Sequence, residues 1–167
     1  ILFGRKLSTL YIDALWFQSL GQYQTFLTRL ISPWFYGLLG GLLAGAFVYA
    51  NLKSAQPSLD FLPYNVFPLE IRRLLSQRSV NRLFLAFSGL IALMFGASIG
   101  RNWLVIRLSF EGRPFRDLTD PLFGQNPSFY IFVLPAVQLV LQFATLLLLL
   151  TLLVVVLLYV VGGDFRQ

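Results

Sequence analysis

The 167-residue chain carries 13 Lys and Arg against 7 Asp and Glu, a net charge of +6, and is 57% hydrophobic with only 12% charged residues. Soluble domains are roughly 45–50% apolar and about 25% charged, so this composition excludes an ordinary soluble domain and points to helices that cross a membrane. Cys and His are both absent, which removes disulfides, the usual zinc sites, haem ligation by either residue and every triad built on imidazole.

Aromatic residues, 16% of the chain, gather at the ends of apolar runs, where rings sit at headgroup level. The basic excess fits contact with anionic lipid headgroups. Since the aromatics lie in apolar runs and not in a basic groove, nucleic acid is excluded as a partner.

Residues 1–7 read ILFGRKL, an apolar scrap ahead of Arg5 and Lys6. A signal peptide runs in the opposite order, so this is expected to be the end of a preceding span in a longer chain. Residues 8–32 are mixed, with Tyr11, Leu15 and Trp16 near one helical face, Gly21 as a stop and Thr25 as a cap for the next helix. Such a segment suits the interface plane; an ordered loop on the membrane face fits as well.

Residues 33–52 form the first complete span, with Pro33 expected in the first helical turn and Trp34 and Tyr36 at one interface. Gly37, Gly41 and Gly45 recur at every fourth position. Glycine lowers helix propensity, and close approach of a partner helix is the commonest reason to keep such a stripe. Residues 53–82 are polar with Pro57, Pro63 and Pro68, the last opening a short amphipathic helix that ends near Arg78. Arg72, Arg73, Arg78 and Arg82 would face anionic lipid, as a generic anchor ahead of recognition of a specific lipid.

The second span, within 83–106, carries Ser88, Ala92, Gly96 and Gly100 at the same spacing, so the two stripes are expected to pack on each other. Residues 107–127 form a turn-rich loop. In it Asp120-Pro121 and Asn126-Pro127 each set a capping side chain before a proline suited to the first helical position, and Gly124 can end the first turn. The apolar run of 128–161 exceeds one bilayer crossing, and Pro135 is expected to kink it or to end a short interfacial helix. Gln138, Gln142 and Thr145 share a face; they line a polar path or bond across helices, the second being the commoner role. Residues 162–167 are a tail, and the basic excess is equal on the two sides, so charge does not orient the chain.

The expected fold class is therefore all-α: a polytopic helical membrane protein with three apolar spans, interfacial helices and a structured loop. The stretch FEGRPFRDLTDPLFGQNPSFYIFVLP, with Pro114-Phe115, Thr119-Asp120-Pro121, Phe123-Gly124 and Ser128-Phe129-Tyr130, resembles the signature region of uncharacterised protein family 0182. Upstream, Asp13, Leu15, Trp16, Phe17, Gly21, Tyr23, Phe26 and Arg29 hold matching places, whereas Asn126-Pro127 stands where that family usually has a charged or aliphatic pair. The resemblance implies large bacterial membrane proteins with further spans and a large extracytoplasmic domain. It would place residues 111–127 outside the cytoplasm and the chain in the inner (cell) membrane, or the thylakoid membrane of a cyanobacterium. It carries no biochemical activity.

The leading functional expectation is a non-enzymatic module, a scaffold, anchor or subunit that joins further spans of its own polypeptide or partner subunits. The alternatives are a transporter with a path at Gln138, Gln142 and Thr145, and a subunit of a pigment-bearing or respiratory complex. No cofactor is expected. Without His, a chlorophyll would need Asn, Gln or water as its ligand, and lipid is the other candidate. Asp117 and Asp120 are a carboxylate pair, but Asp120 is better explained as a helix cap.

Overall fold

The computed structural model describes residues 2–57, 77–116 and 118–162. Among them every regular element is helical: α1 (Leu2–Ser19), α2 (Tyr23–Ala55), α3 (Gln77–Arg101), α4 (Trp103–Glu111), and a π-helical turn (Phe129–Val133) that runs directly into α5 (Leu134–Gly162). Three helices are long and apolar enough to cross a membrane: Tyr23–Ala55, Gln77–Arg101 and Phe129–Val160.

α1 is a single helix through the expected end of the preceding span and half of the expected interfacial segment. It stops where Gly21 takes φ +68°, a left-handed conformation open to glycine. The Gln22 N–H donates to the Phe17 carbonyl at 2.9 Å and the Gly21 N–H to that of Gln18 at 3.0 Å, the paired bonds of a Schellman stop. The Phe17 ring then meets Phe26 of α2 at 5.9 Å, which folds the turn against the next helix.

Two expectations fail at the start of α2. The helix begins at Tyr23, so Pro33 lies inside it. Pro33 cannot donate to the Arg29 carbonyl, yet membrane helices tolerate such an interruption where neighbouring groups pack around it. Nor is Thr25 the cap: Gln22 holds that position, and the Thr25 hydroxyl donates to Gln22 Oε1 at 3.0 Å.

α2 and α3 form an antiparallel pair. At one end Lys53 Nζ donates to Asn81 Oδ1 at 2.9 Å and the Gln56 amide bonds to Gln77; at the other the Pro33 carbonyl lies against Gly100. Ala44, Val48, Leu52, Val80, Phe84, Ile91 and Phe95 form the core between them. Helix α5 lays Phe143, Leu147, Leu150, Val154 and Leu158 on that core.

Within the described residues Arg78 and Arg82 belong to the first two turns of α3, both exposed, and not to the end of a separate surface helix. No Gly or Pro between residues 77 and 88 breaks the helix, so the polar turns run straight into the apolar span. Arg72, Arg73 and most of the expected amphipathic helix lie outside the described residues. Asn102 turns the chain, its Nδ2 donating to the Ser98 carbonyl at 2.9 Å, and α4 starts afresh at Trp103.

Pro135 neither ends nor splits the last helix. The turn before it widens to π geometry, with the Leu134 N–H reaching the Phe129 carbonyl. Widening takes the carbonyl that would clash with the pyrrolidine ring out of its usual place, a common role of single π turns.

Candidate functional site

Three places bring together the residues that the sequence singles out. The first is the contact between α2 and α3. A Cβ added at Gly37 would stand 2.8 Å from the Gly96 carbonyl oxygen, one at Gly41 2.6 Å from that of Ala92, and one at Gly45 2.8 Å from the Ala92 Cβ. From the other side, a Cβ at Gly96 would meet the Gly37 carbonyl at 2.7 Å and one at Gly100 the Pro33 carbonyl at 2.7 Å. The backbones therefore touch, and dispersion contact along the whole stripe replaces the hydrophobic effect that is missing in lipid. Ser88 is buried in the same stripe, and its hydroxyl has no partner among the described residues.

The second place is the loop between α4 and α5. Asp120 Oδ1 accepts the Leu122 N–H at 3.0 Å, and the Gly124 N–H returns to the Asp120 carbonyl at 2.8 Å, with Gly124 at φ +64°. Asp120-Pro121 thus starts a single closed turn and no helix. Asn126 Oδ1 accepts the Ser128 N–H at 3.0 Å, and the helix starts at Pro127.

Sequence reasoning missed what these two side chains do beyond capping. The Asn126 amide also takes the Phe115 N–H at 3.0 Å and donates to the carbonyls of Phe115 at 2.7 Å and Leu118 at 2.9 Å. All four of its hydrogen-bonding positions are used. Asp120 Oδ2 accepts the Tyr130 hydroxyl at 2.8 Å. Its carboxyl is held below the ordinary carboxylate range, first by the Leu122 N–H and then by the Tyr130 hydroxyl. The Phe115 ring stacks on Phe132 at 6.4 Å. One further tie escaped the sequence. Arg107 of α4 pairs with Glu111 at 2.9 Å and donates to the Ser32 hydroxyl of α2 at 3.3 Å. The pair with Glu111 is a local i,i+4 contact, but no local pattern links Arg107 to Ser32, far away in the sequence.

The third place is the outer side of α5. Gln138, Gln142 and Thr145 are exposed, roughly half a turn from the residues that meet the core. Among the described residues they make no side-chain hydrogen bond to α2 or α3, and they lie on the side of α5 away from the core. The row continues through Leu149, Leu152 and Val156, all exposed, at alternating steps of four and three. That is the spacing of a left-handed helix-packing seam. Only 6% of the most apolar stretch of this helix is buried, against 33% in each of the other two spans.

The model of the Uncharacterised protein family (UPF0182) matches residues 1–167. The chain belongs to this family. A UPF0182 protein of Moorella thermoacetica is 37% identical over 131 residues, covering 74% of the chain and 14% of that relative. One from Mycobacterium ulcerans is 33% identical over 145 residues, with 86% and 14% covered, and one from Bifidobacterium longum 30% identical over 166 residues, with 96% and 16% covered. The chain thus spans 14% to 16% of the length of these relatives, all of them bacterial. No solved structure matches it.

Proposed function

We propose that this UPF0182 segment is a non-enzymatic helix-assembly module of a bacterial cell membrane: a tightly paired hairpin, α2 and α3, that carries α5 as a docking helix for further membrane spans. One observation carries the reading. The seam from Gln138 to Val156 lies on the uncovered side of the least buried span. In hydrocarbon an amide without a partner costs several kcal/mol, and a neighbouring helix with polar groups at matching heights removes that cost. The knotted loop supports the same reading, because it sets the entry of α5 through Asn126 and Tyr130.

Photo-crosslinking side chains at positions 145 and 149 of the full-length protein, in native membranes, test this. The expected product is a protein–protein adduct from both seam positions. Adducts with lipid alone at both would overturn the reading.

A second reading, transport, uses the same three polar side chains as one wall of a path whose other wall lies outside the chain. It is favoured by their exposure on one face and weakened by the absence of any charged residue in the described part of that span.

A further inference from the structure

The loop between α4 and α5 inverts the usual surface arrangement. In water a turn displays its polar atoms. Here the Asp120 carboxylate, the Asn126 amide and the backbone groups of Asp120, Leu122 and Gly124 bond within the loop and to Tyr130. The apolar side chains are left outside: Leu122 is 85% exposed and Phe123 73%. A tight closed turn holds both at its tip, so their display does not come from slack chain.

The depth of the loop follows from what it touches. Phe115 stacks on Phe132, Gly112 lies against the same ring, and Asp120 meets Tyr130. All are contacts with the first two turns of the helix that begins at Pro127. The span Phe129–Val160 has 32 residues, roughly 48 Å at 1.5 Å per residue. The hydrocarbon core is only about 30 Å thick, so the helix has turns to spare; the Asp120 carboxylate on Tyr130 and the exposed Arg113 and Arg116 hold its first turns at headgroup level, and the loop beside them.

We infer that Leu122 and Phe123 form an interfacial anchor that inserts into the acyl boundary of the leaflet next to the start of α5. The occupant is lipid. Arg113 and Arg116 balance Asp117 and Asp120 across the loop, so apolar contact drives the insertion and anionic headgroups are not required. The anchor goes beyond the helix-assembly reading and does not depend on it, since it concerns a different surface.

Full-length protein with no other cysteine, carrying L122C, F123C or the loop control Q125C, is labelled with an environment-sensitive fluorophore. It is then reconstituted in phosphatidylcholine vesicles, with and without anionic lipid. The expected result at 122 and 123 is blue-shifted emission, quenched several-fold more by a nitroxide high on the acyl chain than at 125. Protection from aqueous iodide, and no dependence on anionic lipid, complete it. Iodide quenching at both tip positions would overturn the anchor by placing the tip in water. Protection from both quenchers would overturn it equally, by showing that protein covers the tip.

Discussion

Asp120 and Asn126 show how few side chains define the loop. Each stands before a proline, and each does more than cap. Asn126 joins four backbone groups, and at about 1 kcal/mol net per bond they are enough to hold a short loop in one conformation. Asp120 adds a pH dependence. Its folded pKa lies below the ordinary value, so the stability it lends is present above the unfolded pKa and is lost as pH falls through the folded one. Hydrogen-exchange protection at the amides of Leu122 and Gly124 is therefore expected to be flat near neutrality and to fall below about pH 4. Asp120→Asn keeps an acceptor for Leu122 but does not titrate, so its protection should be flat throughout. Acid loss that persists in that variant would assign the effect to another group.

Between elements, α2 and α3 make the most extensive contact among the described residues, and their glycines differ sharply in what surrounds them. A Cβ at Gly41 would meet the Ala92 carbonyl at 2.6 Å and the Gly96 Cα at 3.2 Å, whereas one at Gly89 meets nothing within 4 Å. Backbone on both sides cannot swing away, so Gly41→Ala forces the helices apart at a cost of about 1–3 kcal/mol. Gly89→Ala adds helix propensity in open space and stabilises by up to about 1 kcal/mol. Equilibrium unfolding in mixed micelles separates the two, and equal effects would contradict the packing. The stripes were legible because a spacing of four marks one helical face whatever the fold. Pro33 misled for a local reason: a proline after a mixed segment resembles a first turn, and only tertiary packing carries the helix through it from Tyr23.

For the whole molecule, the open question of chemistry sits on the outer face of α5. Gln138→Leu with Gln142→Leu distinguishes the two functional readings. If the amides bond to a neighbouring helix, association with it weakens by about 1–2 kcal/mol per lost bond, read as a fall in crosslinking yield at the seam. If they line a path, association survives and flux is lost. The composition announced membrane helices, and the period of the polar residues announced a shared face. Which way that face points was beyond sequence, because Phe143 and Gln142 are adjacent residues of one apolar helix and only the position of the core decides which turns inward.

By itself the sequence determined the helical membrane class, the three apolar spans, the two small-residue stripes and the sites of Asp120-Pro121 and Asn126-Pro127. All of these follow from hydropathy, periodicity and local backbone preference, which act over a few residues. Tertiary structure alone decided that α2 runs through Pro33, that a π turn absorbs Pro135, that Tyr130 and Asn126 tie the loop down, and that the glutamines face away from the core. Each of these turns on a contact or a packing direction between segments, and such geometry has no signature in the spacing of residues along one chain.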